Sequence, residues 1–236
     1  MQLTMNKLKL ALAVQLACLP AAAIAADTQN KDEKAVETIT VRGQYTVNET
    51  IDTATGLGLT LLETPQSVSV MTAQRIQDLD ISSIADAVTQ TPGLTSKAFD
   101  STRNTFSARG FDIDKFQLDG VPMAWSLAGD SGETITDVAI YERIEVVRGA
   151  TGLLTGVGEP SASINLVRKH ANARELTGYV NGGVGSWNRR YLTADATTPL
   201  TADGNVRARI VAKKELSDSF RDLAEEDKTV LYGVLD

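Results

Sequence analysis

The chain has 236 residues, of which 42% are hydrophobic and 5% aromatic, and its formal net charge is −7. This composition excludes an intrinsically disordered chain, and the acidity argues against a nucleic-acid partner, which would require a basic surface. With one cysteine and one histidine, the sequence predicts neither a disulfide framework nor a metal site built from these ligands.

The first 25 residues have the pattern of a secretory signal peptide. Lys7 and Lys9 give a positively charged start, an apolar stretch follows, and an Ala-Ile-Ala cleavage pattern ends the segment. A lipoprotein signal around Cys18 is the alternative, although the residue three positions before it is not the expected aliphatic one. We therefore predict an exported protein whose mature chain begins at Ala26 and contains no cysteine.

Residues 26–58 are mostly polar and charged, and no hydrophobic period is long enough to build a core, which predicts a mobile leader. Five consecutive β-prone residues lie inside it: Glu37, Thr38, Ile39, Thr40 and Val41. A short extended segment in such a setting is suited to adding a strand to the sheet edge of another protein. An ordinary linker strand is the alternative.

The block from residue 61 to residue 94 predicts one strand and two short helices. Residues 66–71 alternate in the manner of a strand. Thr72 is placed to cap a first helix, and Ser83 with Asp86 has the capping-box spacing ahead of a second one. A Pro-Gly pair ends the block.

A hairpin and two packed strands are predicted in the middle of the chain. Asp119 and Gly120 stand between apolar residues, which indicates a tight turn because glycine readily adopts positive φ. Residues 144–148 form a β-branched run that ends at Gly149, and residues 163–168 alternate well enough for another strand. The sequence between these two strands is rich in glycine, so we expect a compact loop there.

The last part of the chain predicts antiparallel strands with two different faces. Four apolar residues alternate with three basic ones in one of these strands: Val206, Ala208, Ile210 and Ala212 against Arg207, Arg209 and Lys213. This alternation, apolar outward and polar inward, is typical of a transmembrane barrel wall, and a soluble half-buried sheet is the alternative. Residues 201–204 predict a short turn, and residues 217–228 a longer charged connection.

Residues 141–169, YERIEVVRGATGLLTGVGEPSASINLVRK, carry the strongest motif of the sequence. They resemble, almost residue for residue, the end of the plug domain of TonB-dependent outer-membrane receptors of the ferric-siderophore group. The phrases ETPQSVSV, RGF and DG-x-P earlier in the chain resemble further parts of the same plug. Ala150, Thr155, Ser161 and Ala162 depart from the usual phrase of the family, which affects the expected loop geometry near them.

The resemblance implies a particular domain organisation. An α+β plug domain, with a mixed sheet and short helices, is expected over residues 59–170. The first antiparallel strands of an incomplete transmembrane β-barrel are expected over residues 171–236. Barrels that enclose a plug have ~22 strands, which would require ~220 residues. Only the 66 residues of the expected strand region are available, so the sequence predicts a truncated receptor.

The resemblance also assigns roles to individual residues. It identifies residues 37–41 as the TonB box, which would bind TonB. It predicts that Arg109 and Arg148 latch the plug to glutamates of the inner barrel wall. Pairing of these arginines within the plug is the alternative. Three residues near strand ends are predicted ligand contacts, with ordinary packing or barrel-wall contact as the alternative: Arg103, Met123 and Trp125.

The implied function is that of an outer-membrane receptor and transporter for ferric siderophores. TonB and its inner-membrane complex would supply the energy, and outer-membrane lipid would surround the barrel. No enzyme activity, resident metal or cofactor is expected, because iron enters inside its chelator and His170 lies at the junction of plug and barrel. A receptor for haem or cobalamin is one alternative. A soluble TonB-interacting plug fragment without transport activity is another.

Overall fold

The computed structural model describes residues 51, 54, 57–98, 103–124, 137–149 and 159–236. The predicted signal peptide, the TonB box at residues 37–41 and Trp125 lie outside these ranges. None of the helices within them is long and apolar enough to span a membrane.

The first part of the described chain contains short strands and two short helices. Their bounds, in chain order, are β1 Ser67–Thr72, α1 Ala73–Asp78, α2 Ile84–Thr89, β2 Leu94–Ala98, β3 Asn104–Ala108, β4 Phe111–Asp112, β5 Lys115–Leu118, β6 Val121–Ala124, β7 Tyr141–Arg148 and β8 Ala162–Arg168. Longer strands follow: β9 Thr177–Val184, β10 Arg190–Pro199, β11 Arg207–Asp218 and β12 Glu225–Leu235.

The strands form three sheets. The largest before residue 170 has the order β1-β7-β8-β5-β6, and it is mixed because β5 and β8 are parallel while the other neighbours are antiparallel. A small sheet contains β2, β3 and β4, and an antiparallel sheet has the order β12-β11-β10-β9. The predicted mixed sheet with short helices, followed by antiparallel strands, is confirmed.

Both helix starts are capped as the sequence predicts. The Thr72 hydroxyl accepts a hydrogen bond from the backbone N–H of Arg75 at the start of α1. At the start of α2 the Ser83 hydroxyl accepts from the Asp86 N–H at 3.1 Å and donates to the Asp86 carboxylate at 2.7 Å. These bonds satisfy N–H groups that the first turn of a helix leaves without intrahelical partners.

Replacing Ser83 with alanine should lower the free energy of unfolding by about 1 kcal/mol, because the cap of α2 is lost. Urea unfolding of the chain in detergent would measure the change. Ser82→Ala is the matched control, because among the described residues the Ser82 hydroxyl bonds only to the Asp86 carboxylate, at 3.4 Å. Equal losses in both variants would contradict the assigned cap.

The turn between β5 and β6 has the predicted Asp-Gly geometry. Asp119 has φ +50° and Gly120 φ +80°, as expected for a two-residue hairpin loop. The Gly120 N–H donates to the Asn165 side chain at 2.9 Å, and the Asp119 carboxylate accepts from the Arg168 N–H at 2.8 Å. The Arg168 guanidinium donates to the same carboxylate, and this bond raises the pKa of Arg168. These bonds therefore hold the turn against β8, the strand that runs parallel to β5.

One face of the mixed sheet forms the hydrophobic core. Phe116 of β5 is 1% exposed, and its ring centroid lies 5.9 Å from that of Phe106 on the small sheet. The core joins this face to the helices and the small sheet through further buried side chains: Met71, Ile84, Val88, Ile144, Val146, Ile164 and Leu166.

The opposite face of the mixed sheet carries a buried ion pair. Glu145 of β7 is 1% exposed, and its carboxylate accepts from the Arg143 guanidinium at 2.6 Å and from the Asn165 amide at 3.1 Å. A buried carboxylate requires such partners, since desolvation of an unpaired charge is costly. The sheet therefore has an apolar core face, and its opposite face carries this buried polar group.

The antiparallel sheet shows the predicted alternation of faces. Arg209 and Lys213 of β11 point to the same side, and Ala208, Ile210 and Ala212 occupy the other. The connection between β11 and β12 is shorter than the predicted one, because only residues 219–224 separate the two strands. Charged residues extend the ladder here, with Lys214 of β11 paired to Asp227 of β12.

Candidate functional site

The predicted latch residue Arg148 stands at the end of β7 and bonds within the predicted plug. Its guanidinium donates to the Pro92 carbonyl at 2.9 Å and to the hydroxyls of Ser67 and Ser69 at 3.2 and 2.7 Å. Burial, and then the neighbouring charge of Arg109, lowers the pKa of Arg148. These contacts fix the guanidinium beside β1 without neutralising its charge.

Arg109, the second predicted latch residue, lies next to Arg148. It is exposed, has φ +56°, and places its guanidinium against Gly149, where an added Cβ would lie 3.0 Å from Nη1 of Arg109. Within the described ranges no carboxylate forms an ion pair with either arginine. The structure thus brings the two residues together as neighbouring cations. Each guanidinium group could bind a carboxylate.

Gly149→Ala should destabilise the chain by roughly 1–3 kcal/mol, because Gly149 has φ +99° and the new methyl group would meet Arg109. The measurement is thermal or urea unfolding. Gly110→Ala is the control for backbone strain alone, since Gly110 has φ +86° and open space where the Cβ would stand. A smaller loss at Gly149 than at Gly110 would contradict the close approach of Arg109.

Two of the three predicted ligand contacts, Arg103 and Met123, lie within the described residues and belong to different parts of the fold. Arg103 is exposed and directly precedes β3. Met123 of β6 is partly buried and packs against the hydrophobic core. Their role as ligand contacts stays a prediction, and the position of Met123 agrees with the alternative of ordinary packing.

A group of charged residues that sequence reasoning missed lies between the mixed sheet and the antiparallel sheet. Lys169 follows β8, and its ammonium donates to the Asp195 carboxylate of β10 at 2.8 Å and to the Tyr179 hydroxyl at 3.2 Å. Asp195 also accepts two bonds from the Arg209 guanidinium, both at 2.9 Å. Arg209 reaches back to Glu142 of β7 at 3.1 Å. We call Glu142, Arg209, Asp195 and Lys169 the first ionic chain.

A second ionic chain runs beside the first. The Lys213 ammonium of β11 lies 2.6 Å from the Asp137 carboxylate, which precedes β7, and 3.0 Å from the Glu215 carboxylate. Glu215 pairs with Arg189 at 2.7 Å, and Arg189 pairs with Asp80, just after α1, at 3.0 Å. Acidic and basic groups therefore alternate from Asp80 to Asp137, with both ends on the mixed-sheet side.

A cavity of about 60 Å³ lies beside both ionic chains. Its lining includes Lys169, Tyr179, Arg189, Tyr191 and Lys213. The space is enough for about four water molecules, and apolar side chains such as Ile76, Ile81 and Val138 complete its wall. The two sheets therefore leave a small space between them beside the ionic chains.

The sequence contained part of the signal for these chains. Arg209 and Lys213 belong to the face that was predicted to point inward, and charged groups on that face require partners. Asp137 and Glu142 flank the start of β7, but nothing in their spacing distinguishes them from solvated acids. Pairing over such sequence distances becomes visible only when the sheets are placed together.

Among the described residues, no group of three or more His, Cys, Asp or Glu side chains is arranged to hold a metal ion. His170 is exposed, its ring lies 3.3 Å from the Asp236 carboxylate, and its carbonyl accepts from Arg209. The arrangement therefore provides intramolecular ion pairs, in the two ionic chains, and two neighbouring cations, Arg109 and Arg148. Such groups are suited to holding one domain against another.

A mixed-sheet domain seated on antiparallel strands is the architecture of a receptor plug with part of its wall. Residues 60–163 match the family model described as TonB-dependent Receptor Plug Domain, and this part of the chain belongs to that family. Membership of a receptor family confirms the prediction that the chain is not an enzyme.

The chain is also similar to whole receptors. It is 47% identical over 195 residues to the ferripyoverdine receptor of Pseudomonas aeruginosa, an alignment that covers 82% of this chain and 24% of that protein. A crystal structure of the Pseudomonas aeruginosa outer-membrane ferripyoverdine receptor bound to ferripyoverdine matches with a TM-score of 0.76 and 46% identity, covering 83% of this chain and 26% of that one.

The similarity extends to a second outer-membrane receptor. The alcaligin outer-membrane receptor of Bordetella pertussis matches with a TM-score of 0.72 and 43% identity, covering 81% of this chain and 32% of that one. The chain spans about a quarter of the length of the curated ferripyoverdine receptors that it matches. It is thus a homologue of the N-terminal portion of these receptors.

Proposed function

We propose that this chain is the N-terminal part of an outer-membrane receptor that takes up a ferric siderophore of the pyoverdine class, with energy supplied through TonB. The observation that carries the proposal is the 47% identity to a ferripyoverdine receptor across plug and first strands together. In this proposal residues 1–25 direct export, residues 26–58 are the leader with the TonB box, residues 59–170 are the plug and residues 171–236 begin the barrel wall.

The faces of the antiparallel sheet support a place in the membrane. Val180, Ala194, Ala212 and Leu231 stand in register across the four strands on the side away from the plug. Val180 and Leu231 are 72% and 80% exposed, whereas Asp195 and Glu215 on the other side are buried. An apolar outer row with a polar inner face is what a barrel wall in lipid requires.

The arginine pair supports a docked plug. Arg109 and Arg148 present two neighbouring guanidinium groups, and neither has a carboxylate partner in the described part of the chain. Guanidinium groups bind carboxylates in a bidentate manner, so glutamates of the remaining barrel wall are suitable partners. We therefore retain the latch as part of the proposal.

A chimera tests this function. In the Pseudomonas aeruginosa ferripyoverdine receptor, the matching 195 residues would be replaced by those of this chain, and iron uptake from ferripyoverdine would be measured in cells without their own receptor. We expect uptake that requires TonB. A control chimera with Arg109→Gln and Arg148→Gln should reach the surface and lose most uptake.

Surface detection and ligand binding separate the possible failures of this test. A chimera that is present in the outer membrane and binds ferripyoverdine, but takes up no iron, would contradict the proposed transport role of this plug. Uptake that is unchanged in the double arginine variant would contradict the latch alone.

A further inference from the structure

The two ends of β7 make different kinds of contact. At its C-terminal end Arg148 bonds only to Pro92, Ser67 and Ser69 within the described ranges, all of which belong to the plug. At its N-terminal end Asp137 and Glu142 reach the wall strands through Lys213 and Arg209. The plug is therefore held to the antiparallel sheet near one end of β7 and not, within this part of the chain, at the other.

The charged groups in these contacts are buried, so each of them requires ionic partners. Lys213 is 6% exposed, Lys169 3%, Asp195 4% and Glu215 3%. Charges at this depth are tolerated only when partners surround them, and the loss of one partner leaves an uncompensated buried charge. Each of these groups has at least one partner at 3.0 Å or closer. Lys169, Lys213 and Asp195 each have one partner across the contact between plug and wall, which is present only when the two are docked, whereas both partners of Glu215 lie on the wall.

Lys213 occupies a special position in the second ionic chain. Its ammonium bridges Asp137 of the plug and Glu215 of its own strand. Without Lys213, Glu215 would keep its bond to Arg189, while the Oδ2 atom of Asp137 would lose its ionic partner. The Oδ1 atom of Asp137 already accepts the Ala139 N–H at 2.8 Å. Removal of Lys213 should therefore leave its main defect on the plug side.

We propose that the Lys213–Asp137 pair is a second plug-to-wall latch, with the cation on the wall and the acid on the plug, and that it makes β7–β8 and β10–β11 a single cooperative unit. Its polarity is opposite to that of the arginine pair. This inference concerns a contact within the chain and does not depend on the ligand or on TonB. Its failure would leave the proposed uptake function untouched.

Hydrogen exchange of the mature chain in detergent, resolved by segment, tests the proposal. Lys213→Met keeps the length of the side chain and removes its charge. We expect amide protection to fall by roughly 100-fold or more in β7–β8 and in β10–β11 together. Lys214→Met is the matched control, because the Lys214 side chain is 48% exposed and its partners Asp227 and Thr229 both lie on β12. Its effect should stay within about threefold.

A double variant separates a plug-to-wall role from a role inside the wall. Asp137→Asn retains an oxygen for the Ala139 N–H and removes the unpaired charge, so Lys213→Met with Asp137→Asn should recover protection to within about tenfold of the original chain. If Lys213→Met does not fold, folding of the double variant with this protection supports the latch. Loss of protection confined to β10–β11, or a double variant no better than Lys213→Met, would overturn it.

Discussion

Replacing Phe116 with alanine should lower the free energy of unfolding by roughly 3–5 kcal/mol, one of the largest effects expected from a single side chain here. Phe116 is 1% exposed in the centre of the core, pairs in register with Ile164 of β8 and contacts the Phe106 ring. Alanine would remove this apolar area and leave a cavity between the mixed sheet and the small sheet. Urea unfolding in detergent, monitored by far-UV circular dichroism, would measure the loss.

Phe111 provides the control for this prediction. It belongs to β4 of the small sheet and is 42% exposed, so Phe111→Ala should cost less than about 1 kcal/mol. The comparison separates burial from aromatic character. Losses of similar size at the two positions would show that the core is not centred on Phe116.

Features that depend on neighbours in the sequence could be predicted. The caps at Thr72 and Ser83 and the turn at Asp119-Gly120 follow from hydrogen bonds and φ angles within a few residues, and all three are present. The alternation around Arg209 was also readable, because the faces of a strand follow from a period of two.

Features that depend on distant partners could not be predicted. The Lys213–Asp137 bond joins residues 76 positions apart, and it requires the register of β10 with β11 as well as the seating of the plug. Charge alone does not reveal such a pair, because Lys214 next to Lys213 has the same charge and points outward. The start of β12 was predicted too late for a related reason. Its first residues are polar and charged, and they belong to the strand because they pair with β11.

The two latches differ in what holds them. Arg148 has backbone and hydroxyl partners, and neither arginine of the pair has a carboxylate partner among the described residues, whereas the ionic chains are complete within the chain. In the part of the chain that the structure describes, the contact between the mixed sheet and the antiparallel sheet therefore depends on the ionic chains near the start of β7.

Ile39→Pro should abolish binding of the mature chain to the C-terminal domain of TonB, measured by calorimetry in detergent. If residues 37–41 add a strand to a sheet of TonB, the affinity depends on a ladder of backbone hydrogen bonds. Proline removes one donor of this ladder and fixes φ, so we expect affinity to fall by more than about tenfold. The same substitution would also remove iron uptake by the chimera without reducing its binding of ferripyoverdine.

Gln29→Pro is the matched control for this prediction, because it introduces the same residue into the same predicted leader outside the five β-prone positions. Binding that persists in Gln29→Pro and disappears in Ile39→Pro would assign energy coupling to residues 37–41. Equal binding by all three chains would place the TonB contact elsewhere. If none of them binds although hydrogen exchange shows that the plug is folded, the assignment of residues 37–41 as the TonB box is contradicted. The plug assignment would be unaffected, because it depends on residues 60–163.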